Sequence, residues 1–381
     1  VCSSDLGDAE YAPPSPTGHR QTVSDLVRAY REDHTDPVEV LERILARERD
    51  DRYGDSVYSP FVGIDEERAR RAAEASQKRW RDGAPLGPLD GIPVPVKDHH
   101  HMKGLVTTSG TAFMNERPEV DSIAVQRLEQ AGAIIVGKTH VTEWGMQPTG
   151  FNPHFDMPRN IYSRDHAAGG SSTGTATAVG MGLAPVGLGS DGGGSIRSPS
   201  ALNGLFGIKP SFLRIGRTGD AWATSTVSHN GPIGQSVADL VEFLAITGAE
   251  PDPDDYATQY APAVPDLADQ WRAALGRGIE GARIGLWSWA WEQADPEIAR
   301  ICRDALAELE REGAELVDLE IPYSQYHQSL GVLAIGVEAV GLLHDAIHYF
   351  GEETGEDLRL VLEALSTIDA RDYMIARRTR A

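Results

Sequence analysis

The chain has 381 residues, of which 40 % are hydrophobic and 24 % charged, a composition typical of globular proteins with one large core or two domains. Its formal net charge of −22 opposes binding to nucleic acid or to anionic membranes, so we expect neither as a partner. No stretch reaches the roughly 18 to 20 apolar residues that cross a bilayer. The two cysteines, Cys2 and Cys302, indicate neither a disulfide framework nor a cysteine-based zinc site.

The N-terminal residues are unusual. The sequence VCSSDL has no charged or apolar region typical of a signal peptide, and it matches a translation of sequencing-adapter DNA. We therefore interpret residues 1–6 as an assembly artefact that replaces the true start, and residues 7–22 as a loose segment. We expect residues 23–381 to form a single domain in a cytoplasmic protein.

The first half of the chain alternates predicted helices with predicted strands. Helical periodicity covers residues 23–49, 66–81, 121–131 and 172–183. Asp121 is the expected N-cap of the third of these helices, and Gly132 follows its end. Short apolar runs predict buried strands at 133–136 and 184–191, and the prolines in GIPVPVKD favour an extended segment that ends at Lys97.

The second half contains a strand–helix–strand pattern. ARIGLW predicts a strand, Asp295 and Pro296 begin a helix that ends near Gly313, and AELVDLEI predicts the next strand. This order implies a parallel pair joined by a right-handed crossover. The alternation along the chain indicates an α/β fold with helices on both faces of a sheet.

Two glycine-rich motifs match the patterns of a dinucleotide-binding site and of a serine-hydrolase active site, but the residues around them favour neither. Residues 187–192 fit the dinucleotide pattern G-x-G-x-x-G, but Pro199 and Gly204 interrupt the helix that should follow. Residues 170–174 fit the nucleophile-elbow pattern G-x-S-x-G around Ser172, but a polar, irregular segment precedes them instead of a buried strand. Four later histidines still leave a triad with Ser172 open: His229, His327, His344 and His348.

Three consecutive histidines, His99, His100 and His101, resemble a metal-binding run. Consecutive side chains cannot converge from one face of a helix or strand, so we interpret the run as a polar loop without a metal.

A third interpretation joins three separated pieces: Lys97, the serine pair Ser171 and Ser172, and Ser195 after three glycines. The interval of 24 positions from Ser171 to Ser195 suffices for one helix and one strand that bring the two serines together. A serine hydroxyl needs a base to become a nucleophile, and a buried lysine with a lowered pKa can be that base. The N–H groups of a glycine-rich turn can bind a developing oxyanion.

These pieces closely resemble the amidase signature family. GGSSTG…GLGSDGGGSIRSPSALNGLFGIKPS is similar to that family's glycine- and serine-rich core, GPLDGIPVPVKD to its lysine block and GKTHVTEW to its next segment. The resemblance runs from about residue 23 to the end and is strongest over residues 86–211. It implies a large mixed, mostly parallel β-sheet between α-helices. Chains of that family normally continue past the helix that corresponds to RDYMIARRTRA. The resemblance therefore implies that this chain, which stops at Ala381, is C-terminally incomplete.

The resemblance implies a Ser-cisSer-Lys triad. Ser195 would be the acylated nucleophile, and Ser171 the bridging serine, with a cis peptide between Ser171 and Ser172. Lys97 would be the terminal base. No metal or organic cofactor would be needed.

The resemblance also implies the residues around the triad. Gly192, Gly193 and Gly194, together with the Ser195 N–H, would line the oxyanion hole. Gly145 would contact the substrate through its backbone. The supports that hold these turns would be Ser172, Asp191 and Arg197.

The expected function is hydrolysis of a small carboxylic amide, or of some esters, through an acyl-serine intermediate. A second hypothesis is a glutamine-hydrolysing subunit of an aminoacyl-tRNA amidotransferase, which would require partner chains. A third is a catalytically silent binding protein. A homodimer is compatible with the sequence, and an apolar acyl pocket could be lined by Trp144, Phe151, Trp222 and Trp289.

Overall fold

The centre of the fold is a six-stranded mixed sheet, seen in a computed structural model that describes residues 21–53, 58–260 and 266–380. The strands are β1 (Phe61–Ile64), β2 (Pro93–Lys97), β3 (Ile134–Thr139), β4 (Val186–Asp191), β5 (Phe206–Gly207) and β6 (His229–Gly234). Their order across the sheet is β1-β3-β2-β4-β6-β5. Strands β2, β3 and β4 are buried along their whole length, so the sheet lies inside the molecule as an α/β fold requires.

Two strands of the sheet, β1 and β6, run opposite to the other four. Strand β2 pairs in parallel with β3 and β4, but β1 runs antiparallel to β3, and β6 runs antiparallel to β4 and β5. The sheet is mixed, as predicted, and four of its six strands, β2 to β5, run in the same direction. A helical crossover returns the chain in the same direction, whereas the segment between β4 and β6 holds only the six-residue helix α6 (Arg197–Leu202) and β5.

The helices between residues 23 and 247 cover the sheet. They are α1 (Val23–Arg31), α2 (Pro37–Tyr53), α3 (Glu66–Arg81), α4 (Ile123–Gln130), α5 (Thr173–Gly180) and, after α6, α7 (Val237–Thr247). Together with the central strands they enclose the largest apolar cluster, which contains Leu41, Ile92 and Phe243. The main hydrophobic core therefore lies between these helices and the sheet.

Two helix boundaries differ from the predictions. The helix expected over residues 23–49 is divided into α1 and α2, because Asp33 has a left-handed φ of 55° and Pro37 begins a new helix. Helix α4 begins at Ile123 after Ser122 rather than after Asp121. The Asp121 carboxylate instead pairs with Arg68 at 2.8 Å, so a contact between distant segments replaces the local cap.

The second half forms a smaller sheet and a layer of helices. Strands β7 (Arg283–Leu286) and β8 (Glu315–Asp318) pair in parallel, which confirms the predicted crossover unit. They form a separate two-stranded sheet. The helices of this half are α8 (Leu267–Ala274), α9 (Ser288–Gln293), α10 (Pro296–Arg311), α11 (His327–Leu342), α12 (His344–Phe350), α13 (Glu356–Leu365) and α14 (Ala370–Arg380).

The layer formed by α11 to α13 packs against loops of the main sheet. Ala339, Leu343, Leu358 and Leu362 form an apolar cluster with Ala223, which lies in the loop before β6. Ala223 of this cluster also lines the cavity described below.

No single described helix has the length and apolarity to cross a bilayer, although Ser324–Leu342 and His344–Phe350, bent by 61°, satisfy those two criteria as a pair. Residues 1–6 and most of the predicted loose segment 7–22 lie outside the described residues. Thr22, at its end, is the N-cap of α1.

Candidate active site

Lys97 ends the central strand β2 and is completely buried. Its Nζ atom lies 2.7 Å from the Ser171 Oγ, 2.9 Å from the Ser190 Oγ and 3.3 Å from the Ser190 carbonyl oxygen. Two of the sequence-predicted residues, Lys97 and Ser171, are therefore in direct contact although 74 residues separate them.

Burial lowers the pKa of Lys97 to about 7, although the negative charge of Asp191 opposes the shift. A lysine with this pKa is neutral in a large fraction of molecules near pH 7. Its nitrogen lone pair can then accept a proton from the neighbouring Ser171 hydroxyl.

Ser171 lies in the turn that leads into α5, and its peptide bond with Gly170 is cis. The expected cis bond between Ser171 and Ser172 is therefore wrong by one position.

Ser172 links the serine turn to the following strand. Its hydroxyl contacts the carbonyl and the N–H of Ser190 at 3.2 and 3.3 Å, and its N–H donates to the Ser195 carbonyl at 3.2 Å. The Ser172 side chain is completely buried, and His229 Nδ1 contacts the carbonyl oxygens of Val227 and Asp191 instead. This geometry gives the nucleophile-elbow interpretation no support.

The dinucleotide interpretation is likewise not supported, because Gly187 and Gly189 lie within strand β4 rather than in a turn. A Cβ on Gly187 would lie 2.6 Å from the Thr175 Cγ2, and one on Gly189 would lie 3.0 Å from the Ser172 Oγ. These glycines let α5 pack closely against the strand.

Asp191 organises the turn that carries Ser195. Its carboxylate accepts hydrogen bonds from the N–H groups of Gly194 at 2.7 Å and Ile196 at 3.1 Å, and from the Arg197 guanidinium at 2.9 and 3.0 Å. Burial raises the pKa of Asp191, but these donors, led by Arg197, outweigh it and hold the pKa below its usual value. The carboxylate is therefore ionised and fixes the backbone on both sides of Ser195.

The turn offers fewer oxyanion donors than predicted. The N–H groups of Gly192, Gly193 and Ser195 donate to no acceptor within the described part of the chain. The Gly194 N–H, in contrast, already donates to Asp191. Since a backbone N–H carries one proton, Gly194 is corrected from an oxyanion donor to a residue of the supporting turn, where its φ of 124° suits glycine.

A cavity of about 280 Å³ opens beside Ser171 and Ser195. Trp144 and Trp222, two of the four aromatic residues predicted for an acyl pocket, line it. Phe151 instead lines an adjacent cavity of about 190 Å³, and Trp289 stacks on Trp287. The apolar part of the wall consists of Trp144, Met146, Pro148, Trp222, Ala223, Val332, Ile335, Val361 and Leu365.

Gly145 lies in the wall of this cavity, in a 3₁₀ turn (Glu143–Gly145), with a left-handed φ of 71°. A Cβ added there would lie 3.1 Å from the Ser171 Oγ and 2.7 Å from the His99 Cε1. The residue thus borders Ser171, and its contact with a substrate stays a prediction.

The three consecutive histidines have different neighbours. His99 faces Ser190 and the cavity, His100 Nδ1 lies 2.5 Å from Asp220 Oδ1, and His101 faces the solvent-accessible Glu116. Within the described ranges, no group of three or more His, Cys, Asp or Glu side chains could hold a metal ion.

Behind Lys97, a buried ion pair joins Lys138 Nζ to Asp98 Oδ1 at 2.6 Å. Burial lowers the pKa of Lys138, and Asp98 opposes that shift. Because Asp98 follows Lys97 directly in the chain, this pairing neutralises the carboxylate closest in sequence to the buried lysine.

Sequence reasoning missed three residues of this site. Ser190 and His99 contact each other and the surroundings of Lys97, and Glu338 of α11 accepts hydrogen bonds from the loop that carries Trp222. A usable signal existed for Glu338, since it is the only acidic residue in the apolar helix HQSLGVLAIGVEAVGL. His99 was noticed only as part of the run of three histidines, and the residues around Ser190 gave no signal of its contact with Lys97.

Comparisons with known proteins identify the family of this chain. A family model described as Amidase matches residues 46–380. A fatty acid amide hydrolase of Medicago truncatula is 31 % identical over 360 residues, which cover 93 % of this chain and 59 % of the relative. A glutamyl-tRNA(Gln) amidotransferase subunit of Halorhodospira halophila is 33 % identical over 306 residues, which cover 80 % of this chain and 61 % of the relative.

Among solved structures, the peptide amidase from Stenotrophomonas maltophilia superposes with a TM-score of 0.78 at 26 % identity. The match covers 94 % of this chain and 78 % of the peptide amidase. The chain spans about three fifths of the length of the two curated relatives.

Proposed function

Because the chain belongs to the amidase signature family, we propose that it hydrolyses a carboxylic amide through an acyl-serine intermediate on Ser195. One observation carries the proposal: the contact of 2.7 Å between the buried Lys97 Nζ and the Ser171 Oγ, at the wall of the cavity that Ser195 also lines.

Acylation begins with neutral Lys97. Its nitrogen takes the proton of the Ser171 hydroxyl while Ser171 takes the proton of the Ser195 hydroxyl, so Ser195 Oγ can bond to the amide carbon. The carbonyl oxygen becomes an oxyanion, and the free N–H groups of Gly192, Gly193 and Ser195 donate to it.

The tetrahedral intermediate then collapses. The carbon–nitrogen bond breaks, and the leaving nitrogen receives the proton that returns from Lys97 through Ser171. Water next attacks the acyl ester and gives its proton to Lys97 by the same route. The ester bond to Ser195 breaks, and Lys97 returns its proton through Ser171 to the Ser195 Oγ. One amide and one water thus give one acid and one amine or ammonia, and Lys97 is neutral again.

The cavity wall favours an apolar acyl group. No Asp, Glu, Lys or Arg side chain lines the cavity among the residues that the structure describes, whereas tryptophan, methionine and branched aliphatic side chains do. Burial of an alkyl or aryl acyl chain there gains roughly 25 cal/mol for each Å² of apolar surface removed from water. We therefore propose apolar carboxylic amides as the substrate class.

A second function is favoured by the similarity to the amidotransferase relative. A glutamine substrate carries an ammonium and a carboxylate, and burying either without a charged partner is costly. The uncharged lining of the cavity thus argues for an apolar amide over glutamine. Ammonia release from hexanamide, compared with that from glutamine, by the purified chain without partners separates the two functions.

Covalent labelling tests the nucleophile. A fluorophosphonate forms a phosphorus–oxygen bond with an activated serine and releases fluoride, and mass spectrometry maps the modified peptide. We expect one adduct, on Ser195, that is lost in both Ser195→Ala and Lys97→Ala while circular dichroism shows both variants folded. An adduct on Ser172 would contradict the proposal and restore the elbow mechanism, and an unlabelled folded protein would indicate a silent site.

A further inference from the structure

His99 presents an unused hydrogen-bonding nitrogen at the wall of the cavity. The side chain is 5 % exposed and lines the cavity, and its Nε2 atom has no hydrogen-bond partner in the described ranges. Buried polar nitrogens are nearly always paired, so an orphan beside the reacting serines requires an explanation. The proposed mechanism does not use this nitrogen.

The neighbouring contacts decide which His99 nitrogen carries the proton. Ser190 Oγ lies 2.9 Å from Lys97 Nζ and 3.4 Å from His99 Nδ1. If the lone pair of Lys97 faces Ser171, as the proposed function requires, Lys97 donates to Ser190. The remaining acceptor for the Ser190 hydroxyl proton is then His99 Nδ1, which places the ring proton on Nε2.

The imidazole is uncharged. Burial lowers the pKa of His99 well below its usual value, and the positive charges of Lys97, His100 and Lys138 lower it further. His99 is therefore a neutral Nε2–H donor at neutral pH, and it does not compete with Lys97 for protons.

The position of this donor relative to Ser171 indicates the part of the substrate that it meets. A point at the Cβ position of Gly145 lies 3.1 Å from the Ser171 Oγ and 3.4 Å from the His99 Nε2, so the two atoms are at most about 6.5 Å apart. Ser171 hands the proton to the leaving nitrogen in the proposed mechanism. The donor of His99 is thus close enough to Ser171 to reach the amine portion of a bound substrate.

We propose that His99 Nε2–H binds a hydrogen-bond acceptor in the amine portion of the substrate, two or three bonds from the leaving nitrogen. This inference rests on the proposed amidase function and narrows its substrate class to N-substituted amides whose amine carries an ether or carbonyl oxygen. The leaving nitrogen would lie about 3 Å from the Ser171 Oγ, and the acceptor oxygen about 3 Å from the His99 Nε2. These two hydrogen bonds fit the distance between the two side-chain atoms.

A pair of isosteric substrates tests the inference. N-(2-methoxyethyl)hexanamide and N-butylhexanamide share the acyl group, and hence the acyl-enzyme, and differ only by an oxygen in place of a methylene. The ratio of their kcat/KM values, from the hexanoic acid released, isolates the contribution of the acceptor to acylation. We expect the wild-type protein to prefer the ether by roughly tenfold, the usual effect of one hydrogen bond to an otherwise unsatisfied donor.

Two variants assign the preference to His99. His99→Leu removes the donor and is expected to bring the ratio close to one, whereas His99→Gln keeps an N–H donor and is expected to retain part of the preference. A merely structural role of His99 would lower both kcat/KM values equally and leave the ratio unchanged. The wild-type ratio needs no variant, so it tests the inference even if a variant fails to fold.

The outcomes distinguish this inference from the proposed function. Hydrolysis of both amides with a wild-type ratio near one, or with a ratio that His99→Leu does not change, would overturn the role of His99 and leave the amidase proposal intact. No hydrolysis of either amide or of hexanamide by folded protein would overturn both. Methoxyacetamide and butyramide differ in the same way, but in the acyl group. If His99→Leu abolished a preference for the ether in this pair and not in the N-substituted pair, the donor would lie on the acyl side and the assignment would be wrong.

Discussion

The Nζ atom of Lys97 lies 2.7 Å from the Ser171 Oγ, and both side chains are almost completely removed from solvent. Strand β2 supplies the lysine and the turn before α5 supplies the serine, so the contact joins the sheet to the helix layer. A charged lysine is poorly solvated in this position, and its neutral form is the one that can take a proton.

The pH dependence of hydrolysis should report this lysine. Burial lowers the pKa of Lys97 to about 7, so below that pH the lysine is protonated and cannot act as a base. We expect kcat/KM to be constant above about pH 8 and to fall roughly tenfold for each pH unit well below 7. Rates measured from pH 5.5 to 9, with folding checked at each pH, test this. A flat profile across that range would exclude Lys97 as the base.

Substitution of Asp191 should disturb the nucleophile turn far more than substitution of its partner. Asp191→Asn removes a buried charge and replaces one acceptor oxygen by an N–H donor that faces other donors, which costs about 2–4 kcal/mol of unfolding free energy. Arg197→Gln is expected to cost less, about 1–2 kcal/mol. The Arg197 side chain is 53 % exposed and its charge is screened by water, although the buried Asp191 loses its cationic partner.

Chemical denaturation of both variants measures these free energies. The rate at which a fluorophosphonate labels Ser195 reports whether the turn that carries Ser195 keeps its reactive conformation. We expect slower labelling of Ser195 in Asp191→Asn than in Arg197→Gln. Equal losses in the two variants would show that the ion pair, rather than the backbone hydrogen bonds to Asp191, holds the turn.

Gly145→Ala should damage the site beyond its effect on the backbone. Gly145 has a φ of 71°, and an added Cβ would lie 2.7 Å from the His99 Cε1 and 3.1 Å from the Ser171 Oγ. Gly182 is a matched control, because its φ is 76° and an added Cβ meets nothing within 4 Å. Both alanines cost about 1 kcal/mol in backbone strain.

Hydrolysis should separate these two glycines. We expect Gly145→Ala to lower kcat/KM at least tenfold and Gly182→Ala to leave it unchanged. The melting temperature should fall further for Gly145→Ala, because its Cβ also clashes with His99. If Gly145→Ala kept wild-type kcat/KM, the Gly145 turn would have to move freely away from Ser171, and Gly145 would not border the bound substrate.

The sequence was sufficient for elements and motifs whose residues are close together in the chain. Helix α3 occupies the predicted residues 66–81, because its apolar periodicity and the cap at Asp65 are local. The lysine and serine motifs could be recognised because each is a short pattern. The contact between Lys97 and Ser171 then followed from the family resemblance.

Features that depend on long-range contacts were not predictable in this way. The direction of β6 depends on the end of the sheet from which the chain enters this strand. Asp121 pairs with Arg68, 53 residues away, instead of capping helix α4. His99 meets Ser190 across 91 residues, and Ser225 meets Glu338 across 113. No local periodicity or propensity encodes such pairs, so only the folded structure could reveal them.

Glu338 should control the cavity wall from outside the cavity. Its Oε2 accepts hydrogen bonds from the N–H groups of Ser225 and Thr226, both at 2.8 Å, and its Oε1 accepts one from the Tyr373 hydroxyl at 2.8 Å. These bonds anchor the loop that carries Trp222 to helices α11 and α14. Burial raises the pKa of Glu338, but the bonds from Thr226 and its neighbours outweigh burial and hold the pKa below its usual value.

Glu338→Gln replaces an acceptor oxygen by a donor that faces donors, so we expect a loss of about 2–3 kcal/mol and a looser Trp222 loop. The KM for an apolar amide should rise several-fold, while the labelling rate of Ser195 should change little because the nucleophile turn does not depend on Glu338. Tyr373→Phe is the matched control, since it removes one hydrogen bond and leaves both backbone donors paired, so its KM should stay near the wild-type value.

Because the folded-state pKa of Glu338 lies below that of the unfolded chain, wild-type protein should keep the Glu338 hydrogen bonds at pH 5. Their contribution to stability should be lost only as the pH falls through the folded-state pKa. An unchanged KM in Glu338→Gln, with the expected loss of stability, would show that the Trp222 loop holds its place without this anchor.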